Sequence, residues 1–485
     1  MKIWKNQAVR YAAVVLFVIV FYVLFGKNGS WLNRTGLCRG AFFVVILTGM
    51  VVFLKKYTGI GKSGAVTEEQ LVVLLLCMGI LMRTDYMLYT ACDLRSYDLW
   101  EMDVNSYGHA SYLLQVMEGH LPETNTVQLY QQPLFYILGA AVSKFLNLLL
   151  QTGDAFSLVD ASKTVSCIAS CISLIACREI FRECGLKGRG LIRAMMLVTF
   201  LPVYYLSGGR VGPDALAGMF MMLVFLFTLK WVKEKSWKNT IILAILYGLG
   251  MMTKISCATL AVFTFCIFVG CFYKGCKDGT WKALLAKFAV FAGISLPLGL
   301  WYSVRNYLRF GQSLTYVPVV GEDSSLYTGN YSVFQRIFAV NLKNLFENPF
   351  TDVFADYNLP VYALKSSLFG EFRYDGEEQM ACVLLFFAAL LAVCCIIAIV
   401  YGIGFAAGDR MGKICLIAAG IYYTGIVVFY LKYPYGCSMD FRYMLFLPVP
   451  LAVLLGKCKW FCGNMGRYAD ICCIGFSVAS FLIFG

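Results

Sequence analysis

Residues 381–402 read ACVLLFFAALLAVCCIIAIVYG and carry no charged side chain over 22 positions. About 20 consecutive apolar residues are enough for a helix to cross the hydrocarbon core of a bilayer, so this stretch predicts a transmembrane helix. Twelve further apolar segments occur along the chain, at 11–26, 40–54, 70–91, 163–182, 191–207, 213–232, 239–252, 256–272, 285–302, 413–431, 443–456 and 468–485. The sequence therefore predicts an all-α polytopic membrane protein with about 13 transmembrane helices.

The composition agrees with this class and excludes several others. Of the 485 residues, 60% are hydrophobic and 14% are charged, whereas about 25% are charged in an ordinary soluble protein. The net charge of +13 does not indicate a nucleic-acid partner, because the basic residues lie in the gaps between apolar segments. Most of the 20 cysteines lie inside apolar segments, and with two histidines and no CxxC pair a Cys/His zinc site is not expected.

The placement of segment 134–150 decides the topology. Lys144 and Asn147 interrupt it, which favours a helix that lies along the membrane interface. Suppose that 134–150 does not cross the membrane and that the N-terminus is cytoplasmic. The inner loops and the adjoining ends of the spans then hold 24 Lys+Arg and 8 Asp+Glu. Their balance is +16 against −3 on the outer side, as the positive-inside rule requires. A spanning 134–150 would invert this distribution.

Two long segments, about 92–162 and 303–380, then fall on the outer face, and any chemistry is expected there. The apolar spacing within 104–119 predicts a short amphipathic helix at the membrane surface. Four carboxylates follow the third span, namely Asp93, Asp98, Glu101 and Asp103. They are either solvated loop charges or include a general base that takes a proton from an acceptor hydroxyl.

A series of motifs in these outer regions resembles a known family. In chain order they are Asp103, Gly108-His109, Leu121-Pro122, Gln132-Pro133-Leu134-Phe135-Tyr136, the segment 208–217 (GGRVGPDALA), Leu249–Lys254, Trp301–Gly311 and Asp440–Pro450. This order resembles the GT-C-fold glycosyltransferases of family 39 type, which include protein O-mannosyltransferases and bacterial aminoarabinose-transferase-like enzymes. Gln132 stands where the family has the first proline of its Pro-Pro motif.

The resemblance implies a GT-C-like fold and a glycosyltransferase that moves a sugar from a polyprenyl-phosphate-linked donor to an acceptor hydroxyl, with inversion, at the outer face. The implied catalytic base is Asp103, with Asp98 second and His109 as a competing base that more naturally orients the loop. Lys254 and Arg442, with Arg305 and Arg210 as weaker candidates, would bind the donor phosphate. Further substrate contacts are assigned to Asp214, Tyr130 and Gln132.

The alternative function is a transporter or flippase of a lipid-linked or small anionic substrate. The alternative role for each basic residue is to extend its charged end toward lipid headgroups. No cofactor is certain, and a divalent metal is left open. The acceptor is a protein, lipid or glycan. We expect residues 1–69 to form two additional N-terminal spans, residues 70–456 the catalytic core, and residues 457–485 a C-terminal span.

Overall fold

A computed structural model describes residues 7–25, 67–340, 342–405, 409–463 and 465–485. Within these ranges the secondary structure is helical, apart from one isolated antiparallel bridge between Tyr327 and Tyr435. The predicted all-α class is therefore confirmed. The α-helices, in chain order, are α1 Gln7–Phe25, α2 Glu68–Tyr89, α3 Gly108–Glu118, α4 Leu134–Leu150, α5 Ala155–Ala161, α6 Lys163–Glu183, α7 Gly188–Phe200, α8 Pro202–Gly208, α9 Asp214–Lys233, α10 Trp237–Thr253, α11 Thr259–Lys277, α12 Trp281–Phe310, α13 Val333–Ile337, α14 Leu342–Glu347, α15 Leu359–Phe369, α16 Glu378–Phe405, α17 Arg410–Lys432, α18 Pro448–Lys457 and α19 Met465–Phe484.

Most of the apolar segments coincide with helices of spanning length. In the described part of the chain nine helices are long and apolar enough to cross a membrane, and the bent pair α7–α8 makes up to ten. The segments at 239–252 and 443–456 correspond to the shorter helices α10 and α18. The segment at 40–54 lies outside the described residues. The multi-pass class is confirmed, whereas the number of 13 spans stays a prediction.

Local sequence explains where two of these helices begin and bend. Helix α2 begins after Thr67, which forms a capping box with Gln70. The Thr67 hydroxyl accepts the backbone N–H of Gln70, and the Gln70 side-chain oxygen accepts the backbone N–H of Thr67. The α7–α8 pair bends by 42° at Leu201. Pro202 has no N–H to continue the helix and disfavours helical geometry at the residue before it, so the span breaks there.

The chain divides into two compact units. Unit 2 consists of Ala91–Glu183 and Arg210–Pro318. Here α9 packs against α6 and α10, and α10 packs along α12. The fully buried Trp231 of α9 donates its indole N–H to the Thr240 hydroxyl of α10 at 2.9 Å, which satisfies a polar group inside an apolar bundle.

Unit 1 takes in the described residues of Met1–Thr90, Cys184–Gly209 and Val319–Gly485. Helices α16, α18 and α19 pack together, and α7 packs on α18 and α19. A Cβ added at Gly190 would lie 2.3 Å from the Gly456 carbonyl oxygen, so this crossing of α7 and α18 needs glycine. The buried Arg193 donates to Asp470 at 2.6 Å and thereby ties α7 to α19.

The helices within residues 92–162 lie in unit 2. Helix α4 spans Leu134–Leu150, and its outward face carries exposed Ile137, Leu138, Phe145 and Leu148 opposite a buried face. This two-sided pattern fits the predicted interfacial helix. The helix predicted within 104–119 forms as α3, which begins at Gly108 because residues 100–107 form a loop. All of its residues from Gly108 to Gln115 are buried, so it does not have the exposed polar face that an amphipathic surface helix requires.

Candidate functional site

The loop that carries Asp103 is closed at its base by backbone contacts. His109 donates its amide N–H to the Asp98 carbonyl at 2.9 Å, and Ala110 donates to the Leu99 carbonyl at 3.2 Å. Gly108 has φ +82°, and a Cβ there would lie 2.5 Å from the Asp98 carbonyl oxygen. The glycine of the Gly-His motif is therefore required for this close approach.

Two polar side chains of α3 hold the loop from inside. The Ser111 hydroxyl and the Gln115 amide both donate to the Val104 carbonyl, at 2.8 and 3.0 Å. The neighbouring Asp103 is exposed, and its carboxylate accepts the Asn105 amide N–H at 3.0 Å. The structure thus presents the Asp103 carboxylate from an ordered backbone and leaves it accessible. Asp98 is also exposed, with a left-handed φ of 49°.

His109 is buried and hydrogen-bonded. Its Nδ1 lies 2.6 Å from the Tyr136 hydroxyl, and only 5% of the residue is exposed. The Tyr136 ring stacks on Tyr112 with centroids 3.7 Å apart. Burial raises the pKa of Tyr136 well above its usual value, and the charges of Asp214 and Asp98 act in the same direction. Tyr136 therefore stays protonated and can hold the His109 ring in place.

We expect His109→Ala and Tyr136→Phe to destabilise the protein through the same hydrogen bond. Loss of one partner in a buried bond leaves the other unsatisfied and costs about 1–3 kcal/mol. The measurement is thermal unfolding in detergent for both single variants and the double variant. The double variant should be less destabilised than the sum of the two single variants. Additive losses would contradict a shared bond.

An ion pair joins two of the resembling motifs. Asp214 is the first residue of α9, and Lys254 follows the last residue of α10. Their side chains form a hydrogen-bonded ion pair, each about one-fifth exposed. A carboxylate at a helix N-terminus and an ammonium at a helix C-terminus are each stabilised by the helix dipole. The sequence places these charges where the ends of neighbouring helices meet.

Arg305 and Arg210 bind backbone carbonyls within residues 92–162. Arg305 donates to the Pro122 carbonyl at 2.7 Å and to the Asn306 side chain at 2.9 Å. Arg210 is buried, donates to the Arg95 carbonyl at 3.1 Å and covers the Tyr97 ring. Both guanidinium groups therefore position this segment.

Tyr130 and Gln132 are held by the C-terminal part of α12. Asn306 donates to the Tyr130 carbonyl at 3.2 Å, and the buried Gln132 donates its amide to the Ser303 hydroxyl at 2.8 Å. One turn of α12 thus fixes the motif that opens α4. The Gln132 side-chain oxygen is buried and has no hydrogen-bond partner in the described part of the chain.

Arg442 belongs to unit 1. It lies in the short 3₁₀ helix Phe441–Tyr443, where its Nε is 3.6 Å from the buried Asp440 carboxylate and its guanidinium covers the Tyr443 ring. The Asp440 carboxylate also accepts the Arg442 amide N–H at 3.0 Å. This arrangement fixes both the backbone and the side chain of Arg442.

The described residues contain no group of three or more His, Cys, Asp or Glu side chains that could hold a metal ion.

Several residues that hold this region in place were not predicted from the sequence. Ser111 and Gln115 are one helical turn apart on α3, and this spacing, which places both side chains on one face, was the available signal. The Tyr112 hydroxyl donates to the Tyr302 hydroxyl at 2.9 Å across 190 positions of sequence. No local pattern in one sequence predicts a contact over such a separation.

Part of the chain matches the sequence model of a known family. Residues 157–301 match the sequence model described as dolichyl-phosphate-mannose-protein mannosyltransferase. No curated protein matches the chain by sequence. Two solved structures of ArnT from Cupriavidus metallidurans, one in the apo state and one bound to undecaprenyl phosphate, are similar at 13% identity. They cover 84% of this chain and 76% and 80% of their own, with TM-scores of 0.39 and 0.38.

The matched range includes Arg210, Asp214 and Lys254. The four carboxylates between residues 93 and 103 precede the matched range, and Arg305 and Arg442 follow it. The sequence match to the dolichyl-phosphate-mannose-protein mannosyltransferase model is therefore confined to residues 157–301, which contain two of the resembling motifs.

Proposed function

We propose that this membrane protein is a glycosyltransferase that moves a sugar from a polyprenyl-phosphate-linked donor to an acceptor hydroxyl. The observation that carries the proposal is the accessible, rigidly held Asp103 carboxylate in the same compact unit as the Asp214–Lys254 pair. The family match supports it, because the family's name specifies a dolichyl-phosphate donor. The GT-C-like arrangement and the transfer of a hexose or pentose belong to the same proposal.

The reaction is a single displacement. Asp103 takes the proton of the acceptor hydroxyl, the hydroxyl oxygen bonds to the anomeric carbon, and the bond from that carbon to the phosphate oxygen breaks. The bonding pair leaves with polyprenyl phosphate, and attack opposite the leaving group inverts the anomeric configuration. A carboxylate is suited to this step because it can accept the hydroxyl proton while the oxygen bonds to the anomeric carbon.

Basic side chains would stabilise the departing phosphate. Lys254 is the leading candidate in unit 2, because Asp214 orients its ammonium while about one-fifth of the side chain stays accessible. Arg442 is the candidate in unit 1. Arg305 and Arg210 remain weaker candidates, since their guanidinium groups already bind backbone carbonyls. We assign Asp214, Tyr130 and Gln132 to substrate contacts in the same proposal.

The proposed topology places the N-terminus in the cytoplasm and the active site on the extracytoplasmic face. The charge balance of +16 on the inner side against −3 on the outer side supports it. In this arrangement residues 70–456 form the catalytic core, residues 1–69 add two spans, and residues 457–485 form the last span.

Cysteines introduced at Ser106 and Ser325 should both react with a membrane-impermeant thiol reagent in intact cells. Both positions lie in the proposed outer segments, and the native Cys38, Cys92, Cys257 and Cys437 are replaced first. A position that reacts only after cell lysis would place its segment on the cytoplasmic side and refute the topology.

Reconstituted protein distinguishes the proposal from a transporter. With a polyprenyl-phosphate sugar in the bilayer of sealed vesicles and a hydroxyl-bearing acceptor added, the proposed enzyme releases polyprenyl phosphate and forms a glycosylated acceptor. Movement of the intact donor between leaflets without cleavage would instead identify a flippase.

A further inference from the structure

The short helix α13 in the second outer segment is rigidly held in unit 1. It begins with a capping box between Ser332 and Gln335. The Asn358 side chain donates to the carbonyls of Gln335 and Ala339, at 2.8 and 2.6 Å. Because both ends of this single turn are capped, the side chains that it carries have fixed directions.

One side of α13 is seated on the outer end of α17. The buried Arg336 donates to the Tyr430 carbonyl at 2.7 Å, and its guanidinium covers the Tyr430 ring. The Tyr430 hydroxyl in turn donates to the Tyr357 carbonyl at 2.7 Å. The only charge between residues 333 and 340 is therefore directed into the protein.

The other side of α13 is apolar and exposed. Phe334 and Phe338 are 68% and 66% exposed, and their ring centroids lie 5.8 Å apart. Val333 and Val340 extend this surface and are also exposed. We call these four residues the aromatic tip. A fixed apolar surface of this kind indicates contact with lipid or with another macromolecule.

The position of the tip favours lipid. Helix α17 has 23 residues and is therefore about 34 Å long, slightly more than the hydrocarbon thickness of about 30 Å. Tyr430 lies two residues before its end. Since Arg336 contacts Tyr430, the tip lies near the level where hydrocarbon meets headgroups, the usual depth of aromatic anchors.

Two other contacts place the same segment at helix ends. The Cys382 thiol near the start of α16 donates to the Phe346 carbonyl at 3.6 Å. The Tyr374 ring packs against Phe484 at the end of α19, with centroids 5.2 Å apart. The outer segment of unit 1 therefore follows the ends of three membrane-spanning helices and is continuous with the lipid boundary.

We propose that the aromatic tip inserts into the lipid interface and anchors the second outer segment to the bilayer. The inserted groups are the Phe334 and Phe338 rings, and Val333 and Val340 lie beside them. Moving the two rings from water into lipid is favourable because it removes apolar surface from water. The hydrogen bonds of Arg336 and Asn358 hold the backbone of α13 against the protein, so only the side chains enter the interface. This anchor does not depend on the sugar-transfer reaction.

Photo-crosslinking tests the anchor. p-Benzoylphenylalanine replaces Phe334 or Phe338 in the full chain, reconstituted in vesicles of phosphatidylcholine and phosphatidylglycerol, and adducts are identified by mass spectrometry. The matched control carries the probe at the exposed Ser325 of the same outer segment. An aromatic replacement at an exposed aromatic position leaves the packed contacts of α13 in place.

We expect severalfold more phospholipid adduct at 334 and at 338 than at 325. Equal lipid adducts at all three positions would overturn the proposal. Crosslinks from 334 and 338 to a second copy of the chain, in place of lipid, would also overturn it and identify a protein interface.

Discussion

Asp103→Asn should lower turnover by about 10²–10⁴, the usual contribution of a positioned general base. The amide is nearly isosteric with the carboxylate but cannot take the proton of the acceptor hydroxyl. Ser111 and Gln115 hold the loop through the Val104 carbonyl, so the substitution should leave the fold intact. Since the base acts in the transition state, donor affinity should be unchanged while turnover falls.

Glu101→Gln is the matched control, because Glu101 is an exposed carboxylate on the same loop. It should retain near-normal turnover. Normal turnover in Asp103→Asn together with a collapse in Asp98→Asn would move the base to Asp98. A collapse in His109→Ala alone, without loss of stability, would move it to His109.

Lys254→Met should weaken donor binding by about 1.5–3 kcal/mol, or about 10- to 150-fold in Kd, if the ammonium contacts the phosphate. Methionine keeps the apolar stem and removes the charge. The measurement is donor affinity by titration of the purified protein. Arg442→Met should weaken the same affinity if unit 1 contributes to phosphate binding.

The ion pair with Asp214 requires its own control, because Lys254→Met also leaves that carboxylate without its lysine. Lys254→Met combined with Asp214→Asn removes both charges, and donor binding should stay weak in the double variant. Lys233→Met is the matched control, since Lys233 pairs with Glu183 at 2.6 Å in the same unit. Normal donor affinity in both Lys254→Met and Arg442→Met would contradict the phosphate role. It would favour the alternative in which both side chains extend toward lipid headgroups.

Hydrophobic periodicity and charge placement were sufficient to predict the helical membrane class. The apolar segments of the described residues coincide with helices, because each spanning segment must satisfy its backbone hydrogen bonds internally. The helix at 134–150 also forms as expected. The sequence predicts the start of α3 near residue 104, whereas the helix begins at Gly108. Apolar spacing does not reveal that the backbone at Gly108 packs closely against the Asp98 carbonyl and leaves residues 100–107 as a loop.

The assigned site residues stay predictions, and the structure adds contacts among them that the sequence did not suggest. Asp214 and Lys254 were assigned separate roles, and the structure joins them in an ion pair 40 positions apart. Arg305 was assigned to phosphate as a weaker candidate, and the structure shows that its guanidinium also donates to the Pro122 carbonyl. Both results depend on tertiary contacts, which place residues from distant helices together and leave no periodic signal in the sequence.

The most direct test of the account is the fate of the donor. Purified protein is reconstituted with a polyprenyl-phosphate sugar labelled in the sugar and a hydroxyl-bearing acceptor, and polyprenyl phosphate is quantified by mass spectrometry. The account predicts release of polyprenyl phosphate in step with labelled acceptor of inverted anomeric configuration, and loss of both in Asp103→Asn. An intact donor after incubation with protein that binds it, across protein, lipid and glycan acceptors, would contradict the account.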